Sequence, residues 1–348
     1  MASSAHARSR ERIVRICGRA RDARSLRMEL LDEIGRVVGF DAYAWLLTDP
    51  ETSVGSSPLA DVPCLPELPR LIRLKYLTEV NRWTTLTAPV ALLTDATGGD
   101  LARSLVWRAV LSHHDIGDVA SSVYRDRFGC WGFLDLWRVA DSFTASEAAF
   151  LADIAAPVTA ALRRAQASTF VAVCEHGPRG PVVLLLSHEL DVRGQTPLTQ
   201  DYLRLLVPPD EGRSPVPAGV YNVAAQLLAN EAGVDANPPA ARVHLSGGLW
   251  LTLRAARLGD AGPPHERNVA VSIEDTSPMD RAALFARAFG LSTREDELLG
   301  HLAEGSDTRE IAHRMFLSHH TVQDHVKSIF AKTGVNSRRA LLSRALGT

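Results

Sequence analysis

Apolar residues recur at three- and four-residue steps through Ile13, Ile16, Leu26, Leu30, Leu31, Ile34 and Val38, which predicts one or two amphipathic helices over residues 9–38, closed by Gly39. Residues 40–48 read as a strand, 49–57 as a Pro/Ser/Gly loop, and 68–83 and 101–111 as helices. The segments 119–124 and 131–139 flank the turn-forming stretch 125–129, so a hairpin is expected there. Thr144 with Glu147 three positions on satisfies two orphan N–H groups reciprocally and starts a long helix to about residue 166. A break is expected over 170–181. A strand over 182–186, a helix from Thr196 to about 206, a loop over 208–217 and a helix over 221–232 follow. Two strands about Ser246-Gly247-Gly248, another over 268–275, and a helix from Pro278 lead into the last part of the chain.

There the capping signals are dense. Ser292 with Glu295, Asp307 with Glu310, and Ser318 each mark a helix start, Asn336 or Ser337 opens a fourth, and Gly305 and Gly334 stand where a left-handed residue would close a helix. The expected order is helix, Gly turn, short helix from about 307 to 315, tight turn, a longer helix over 318–333, and a last helix. On that third helix Val322, Val326, Ile329 and Phe330 fall on one side, while His320, Gln323, Asp324 and Lys327 share the other. Gln can bond adenine bidentately, Lys can donate to guanine acceptors, and Asp can accept from cytosine N4. An ordinary amphipathic helix with a solvated face would show the same pattern.

Charge separates the two readings. Residues 291–317 carry three arginines against six acids, whereas from 318 onward Lys327, Lys332, Arg338, Arg339 and Arg344 face only Asp324. The whole chain has three lysines, Lys75, Lys327 and Lys332, and two of them lie here. A basic half that coincides with the groove-reading helix is what phosphate neutralisation requires.

The residues Leu291-Ser-Thr-Arg-Glu295, Leu298, Leu302, Gly305, Glu310-Ile-Ala312, Leu317-Ser318, Thr321-Val322, His325-Val-Lys327, Ile329, Lys332, Gly334-Val335 and Ser337-Arg338 closely resemble the LuxR-type helix-turn-helix of bacterial transcription regulators. The resemblance covers about the last fifth of the chain. It implies that the third helix enters the major groove and that the fourth forms a dimer contact. Base reading then goes to Gln323, Asp324 and Lys327, and phosphate contact to Thr321, Lys332 and Arg338. Two positions depart from the family: residue 323, often basic, is Gln, and Thr333 replaces the usual Leu before the Gly. Sequence preference is therefore open. The hairpin ending Gly132-Phe-Leu-Asp-Leu-Trp137, followed by Phe143-Thr144 and a helix, resembles a GAF sensor domain, which implies a small-molecule pocket between sheet and covering helices. The strands and short helices of 182–275 resemble a PAS-type sensor in their order.

At 348 residues the chain exceeds one core. The expected organisation is multidomain: a GAF-like α+β domain over 1–168, a PAS-like α+β domain over 169–277, a connecting helix over 278–290 and an all-α helix-turn-helix domain over 291–348. An apolar content of 46% and a charged content of 22% fit folded domains, and a net charge of −2 excludes a protein that coats nucleic acid generally. Cys17, Cys64, Cys130 and Cys174 form no Cys-x-x-Cys pair, and no stretch reads as a targeting segment or as a run of about 18 apolar residues, so a cytoplasmic protein without a membrane partner is expected. His113-His114-Asp115 lacks a third metal ligand, and Ser187-His188-Glu189 cannot form a triad from consecutive strand positions. Neither a Walker-type loop nor a receiver-like acidic cluster is present. No cofactor or enzymatic activity is expected, and the effector-binding residues are unassigned. The implied partners are double-stranded DNA, a second copy of the chain, a small-molecule effector and RNA polymerase. The alternative is a sensor whose terminal helices mediate dimerisation without touching DNA.

Overall fold

Residues 2–19, 22–171, 182–206, 218–245, 247–259, 263 and 266–347 are described by a computed structural model. Cys174, the stretch 176–181 and the loop 208–217 lie outside the described residues. The chain falls into two compact units. One comprises Met1–Leu162, Pro178–Val243 and Thr252–Glu274; the other comprises Arg163–Gly177, His244–Leu251 and Asp275–Thr348.

The amphipathic N-terminal pattern forms α1 (Ala2–Arg19) and α2 (Ala23–Gly35), and the Asp22 carboxylate starts the second by accepting from the Arg24 and Ser25 N–H groups. An antiparallel sheet follows, built from β1 (Ala42–Thr48), β2 (Gly55–Asp61), β3 (Val90–Leu92), β4 (Ile116–Asp126) and β5 (Gly129–Val139) in the order β2-β1-β5-β4-β3. The loop expected over 49–57 is shorter than its composition suggests. Asp49 Oδ1 accepts from the N–H groups of Glu51 and Thr52, which closes a turn and returns the chain as β2, with Gly55 opposite Thr48.

Two expected helices are also shorter. The helix α3 (Leu68–Leu77) stops because Thr78 is extended and its Oγ1 accepts from the Val80 N–H, a local bond that competes with the next helical turn. The stretch 101–111 breaks into a 3₁₀ turn, then α5 (Leu105–Ala109) capped by Ser104, then a second 3₁₀ turn, with α4 (Leu93–Thr97) preceding them. The hairpin β4–β5 forms as expected. At Gly129, φ is 148° and a Cβ would collide with the Pro50 carbonyl oxygen, so the backbone itself demands glycine there.

Trp83 stacks on Phe133 at 5.5 Å over the sheet face lined by Ala42, Leu46, Val119 and Trp137. A polar centre sits in this core: the buried Asp135 accepts from Trp83 Nε1 at 2.8 Å and Ser121 Oγ at 2.7 Å, and pairs with Lys75. The long helix α6 (Ala145–Ala167) begins on the expected Thr144–Glu147 box. An 18-residue window of it has a mean hydropathy of 1.3, so the helix is long and apolar enough to cross a membrane by length and composition alone, although Glu147, Asp153, Thr159, Arg163 and Arg164 keep it from being a continuous apolar run. Ile154, Val158 and Leu162 are nevertheless buried, and a Cβ on Gly132 of β5 would lie 3.4 Å from Leu162.

A second sheet contains β6 (Val182–Leu186), β7 (Val192–Gln195), β8 (Ala240–His244), β9 (Trp250–Arg257) and β10 (Val269–Asp275), ordered β7-β6-β10-β9-β8. Counted from the first strand of each, both sheets run 2-1-5-4-3. The helix expected from Thr196 begins later, as α7 (Thr199–Leu206), because residues through Gln195 pair with β6. The helix α8 (Ala218–Glu231) packs on α3 and β2. Within this unit the buried Arg242 of β8 grips the fully buried Asp49 through Nε at 2.7 Å and Nη2 at 2.8 Å, and reaches Glu51 at 2.7 Å. Burial alone would lower the guanidinium's affinity for its proton, but the two acids outweigh that and hold it above its ordinary value.

Candidate nucleic-acid interface

The second unit holds five consecutive helices: α9 (Pro278–Ala288), α10 (Thr293–Ala303), α11 (Thr308–Arg314), α12 (His319–Thr333) and α13 (Arg338–Leu346). Most of these boundaries follow from a side chain or a glycine. Ser292–Glu295 and Asp307–Glu310 are complete capping boxes, Ser318 and Ser337 cap α12 and α13, and Gly334 closes α12 in the left-handed region at φ 69°. Phe316, in the turn before α12, also takes a left-handed φ of 57° and is 93% exposed.

Phe170 anchors the base of this unit. Its ring stacks on Trp250 at 5.1 Å and meets Phe285 edge-on at 5.5 Å, and its carbonyl accepts from Arg344 Nε at 3.0 Å. Arg281 is buried and donates to carbonyls of Ala345, Arg344 and Val171. Burial pulls its guanidinium down to about 10. These bonds fix α13 against α9.

The helix α12 divides as its sequence predicts. Val322, Val326 and Ile329 are buried; His320, Gln323, Asp324 and Lys327 are exposed. Asp324 lies between two cationic or potentially cationic partners, with Lys327 Nζ at 3.4 Å from Oδ1 and His320 Nε2 at 3.5 Å from Oδ2. Of the residues singled out for phosphate, Thr321 is half-buried and occupied in the cap, its N–H donating to Ser318 Oγ at 3.1 Å. Arg338 Nη2 donates to Thr308 Oγ1 at 2.6 Å, so it bridges α13 to the first residue of α11.

Lys332, singled out for phosphate contact, is engaged within the protein. Its Nζ donates to Glu295 Oε2 at 2.6 Å and to the Gly290 carbonyl at 3.3 Å. Glu295 also accepts from the Ser292 N–H at 2.6 Å and from Ser328 Oγ at 2.6 Å. One carboxylate thus caps α10 and clamps α12 at two positions one turn apart. Burial alone would raise the Glu295 carboxyl, but the bonds from Lys332, Ser292 and Ser328 outweigh it and hold the group down at about 2. The capping role was legible in the sequence; the clamp was not.

The discarded constellations take other partners. His114 Nε2 faces Glu67 at 3.8 Å, and Ser187, His188 and Glu189 turn to Asp191, Arg257 and Arg73 respectively. Trp131, Trp137 and Trp250 are buried, and Trp107 packs against the sheet core. Among the described residues no group of three or more His, Cys, Asp or Glu side chains is placed to hold a metal ion. A hollow of about 520 Å³ bordered by Ala60, Asp61, Val62, Leu65 and Pro66 is open to solvent.

Capped short helices, a tight turn and a half-exposed third helix define a helix-turn-helix domain. Residues 290–345 match the GerE model of bacterial regulatory proteins, luxR family, so this segment is a domain of that family. Over 127 residues the chain is 37% identical to the probable HTH-type transcriptional regulator GfsR of Streptomyces halstedii, covering 36% of this chain and 44% of that protein. Over 49 residues it is 45% identical to the DNA-binding transcriptional activator DevR/DosR of Mycobacterium tuberculosis, covering 14% of this chain and 23% of the relative. The chain therefore spans less than half the length of these curated relatives. The solved structure of Escherichia coli SdiA aligns with 97% of this chain and 96% of its own at 13% identity, with a TM-score of 0.32, a likeness too slight to define a fold.

Proposed function

We propose that the chain is a cytoplasmic transcription regulator of the LuxR type, which places α12 in the major groove of double-stranded DNA. Gln323, Asp324 and Lys327 meet base edges, and Thr321, Lys332 and Arg338 meet phosphates. Lys332 does so only by sharing its ammonium with Glu295. The observation that carries the reading is the bare polar stripe of α12, opposite its buried stripe, within a segment that matches the luxR family. α13 pairs two copies of the chain, and RNA polymerase is the partner through which binding changes transcription.

Residues 1–168 and 169–277 act in this reading as GAF-like and PAS-like sensor domains, joined through 278–290 to the DNA-binding domain 291–348. Their common strand order supports assigning both to one kind of layout. A small-molecule effector controls the protein only by binding one arrangement more tightly than the other.

The test is a mobility shift of the full chain on genomic fragments across a salt series. The account expects retarded fragments whose affinity falls with salt, by a logarithmic slope of about −0.9 per phosphate neutralised. A salt-insensitive dimer that retards no fragment would overturn it, leaving the terminal helices as a pairing module.

A further inference from the structure

The face that α12 turns outward holds an acid, which is unexpected on a surface meant for a polyanion. Asp324 is repelled by both phosphate strands and so opposes binding to duplex of arbitrary sequence. It takes no part in packing: its side chain is 54% exposed and that of Lys327 is 72% exposed. The two head groups are paired at 3.4 Å, and His320 stands at 3.5 Å from the other carboxylate oxygen, one turn back on the helix. An acid that accepts from Lys327, has a histidine beside its other oxygen and is left bare is open to a further donor.

We propose that Asp324 and Lys327 act as one ion-paired reading unit that selects a C·G base pair in each half-site, an inference that rests on the placement of α12 in the major groove. Head groups 3.4 Å apart cannot address distant base pairs, since successive pairs are stacked at about that spacing. The most compact match for such a pair is a donor and an acceptor side by side on one base pair. Cytosine N4 supplies the donor for Asp324, and guanine O6 and N7 of the same pair supply acceptors for Lys327. An A·T pair serves less well. Its adenine N6 donor lies between two acceptors, thymine O4 and adenine N7, so a carboxylate reaching N6 meets negative charge on both sides. The acid thereby carries a double role: it discourages arbitrary duplex and is relieved of that penalty only at cytosine.

The experiment is selection of binding sites by the full chain from a random duplex pool, followed by titrations on the selected duplex. Wild type is expected to retain C·G at one fixed position of each half-site, and replacing that pair should weaken binding about ten-fold or more. Asp324→Ala should lose the preference at that position and bind random duplex at least as tightly as wild type. Asp324→Asn should move the preference towards A·T, because an amide can bond adenine bidentately. Lys327→Ala should lose the same position, and the double variant should lose no more there than either single one, the sign of a coupled pair. An Asp324→Ala protein that still binds with unchanged preference at every position overturns the paired reading alone. A wild-type chain that retains no duplex overturns the DNA-binding reading and this inference with it.

Discussion

Removing the Glu295 charge tests whether α12 is held in place by the carboxylate that caps α10. Glu295→Gln keeps the side-chain shape but weakens three bonds of 2.6 Å, from Ser292 N–H, Ser328 Oγ and Lys332 Nζ. A hydrogen bond to a charged group contributes about 1.5–3 kcal/mol. Lys332 is 37% exposed, so solvent screens its share, and a net loss of about 2 kcal/mol is expected for the variant. That loss should speed amide hydrogen exchange in α12 about 30-fold, together with faster exchange in the first turn of α10. Ser292→Ala, which removes only the cap hydroxyl, should affect α10 alone, by about 1 kcal/mol.

Acid supplies a second arm of the same test. Because the folded carboxyl sits at about 2 against an ordinary 4.5, its contribution is complete above pH 4.5 and fades as pH falls towards 2. Wild-type α12 should therefore lose protection over that range, by about 1–2 kcal/mol after screening, and Glu295→Gln should lack this component. Equal α12 exchange in wild type and Glu295→Gln at neutral pH would refute the clamp.

Lys332→Ala should weaken binding to all duplexes alike and reduce the salt slope by about one if the ammonium also serves a phosphate; an unchanged slope assigns it to Glu295 alone. Asp49→Ala leaves the buried Arg242 without its bidentate partner and should destabilise the first unit by about 3–5 kcal/mol, read as an earlier urea transition in the fluorescence of the buried Trp45, Trp131 and Trp137. An unmoved transition would contradict that role. Gly129→Ala should lower the melting temperature, since it adds a Cβ against the Pro50 carbonyl at a φ of 148°; a melting temperature equal to wild type would show that the hairpin relaxes at no cost.

The helix-turn-helix domain was legible because its instructions are local. Ser292, Asp307, Ser318, Gly305 and Gly334 each act within one helical turn, and the two stripes of α12 follow from its period. What the sequence hid lies at long range. Ser328 and Lys332 are 33 and 37 residues from Glu295, and Arg242 is 193 residues from Asp49. The strands β2 and β7 escaped for one shared reason. Each is the outer neighbour of the first strand of its sheet and neither shows the apolar alternation that marks an inner strand: β7 is mostly exposed, and only the first two of the seven residues of β2 are buried. Missing both also concealed that the two sheets share one strand order, a repetition of topology without repetition of sequence.

The central claim is that α12 enters the major groove, and methylation protection of a duplex retained by the full chain tests it most directly. The account predicts protection of guanine N7, which faces the major groove, within each half-site, and its loss in Lys327→Ala at the contacted guanine. Protection confined to adenine N3 in the minor groove, or a bound duplex whose guanines all remain reactive, would contradict it.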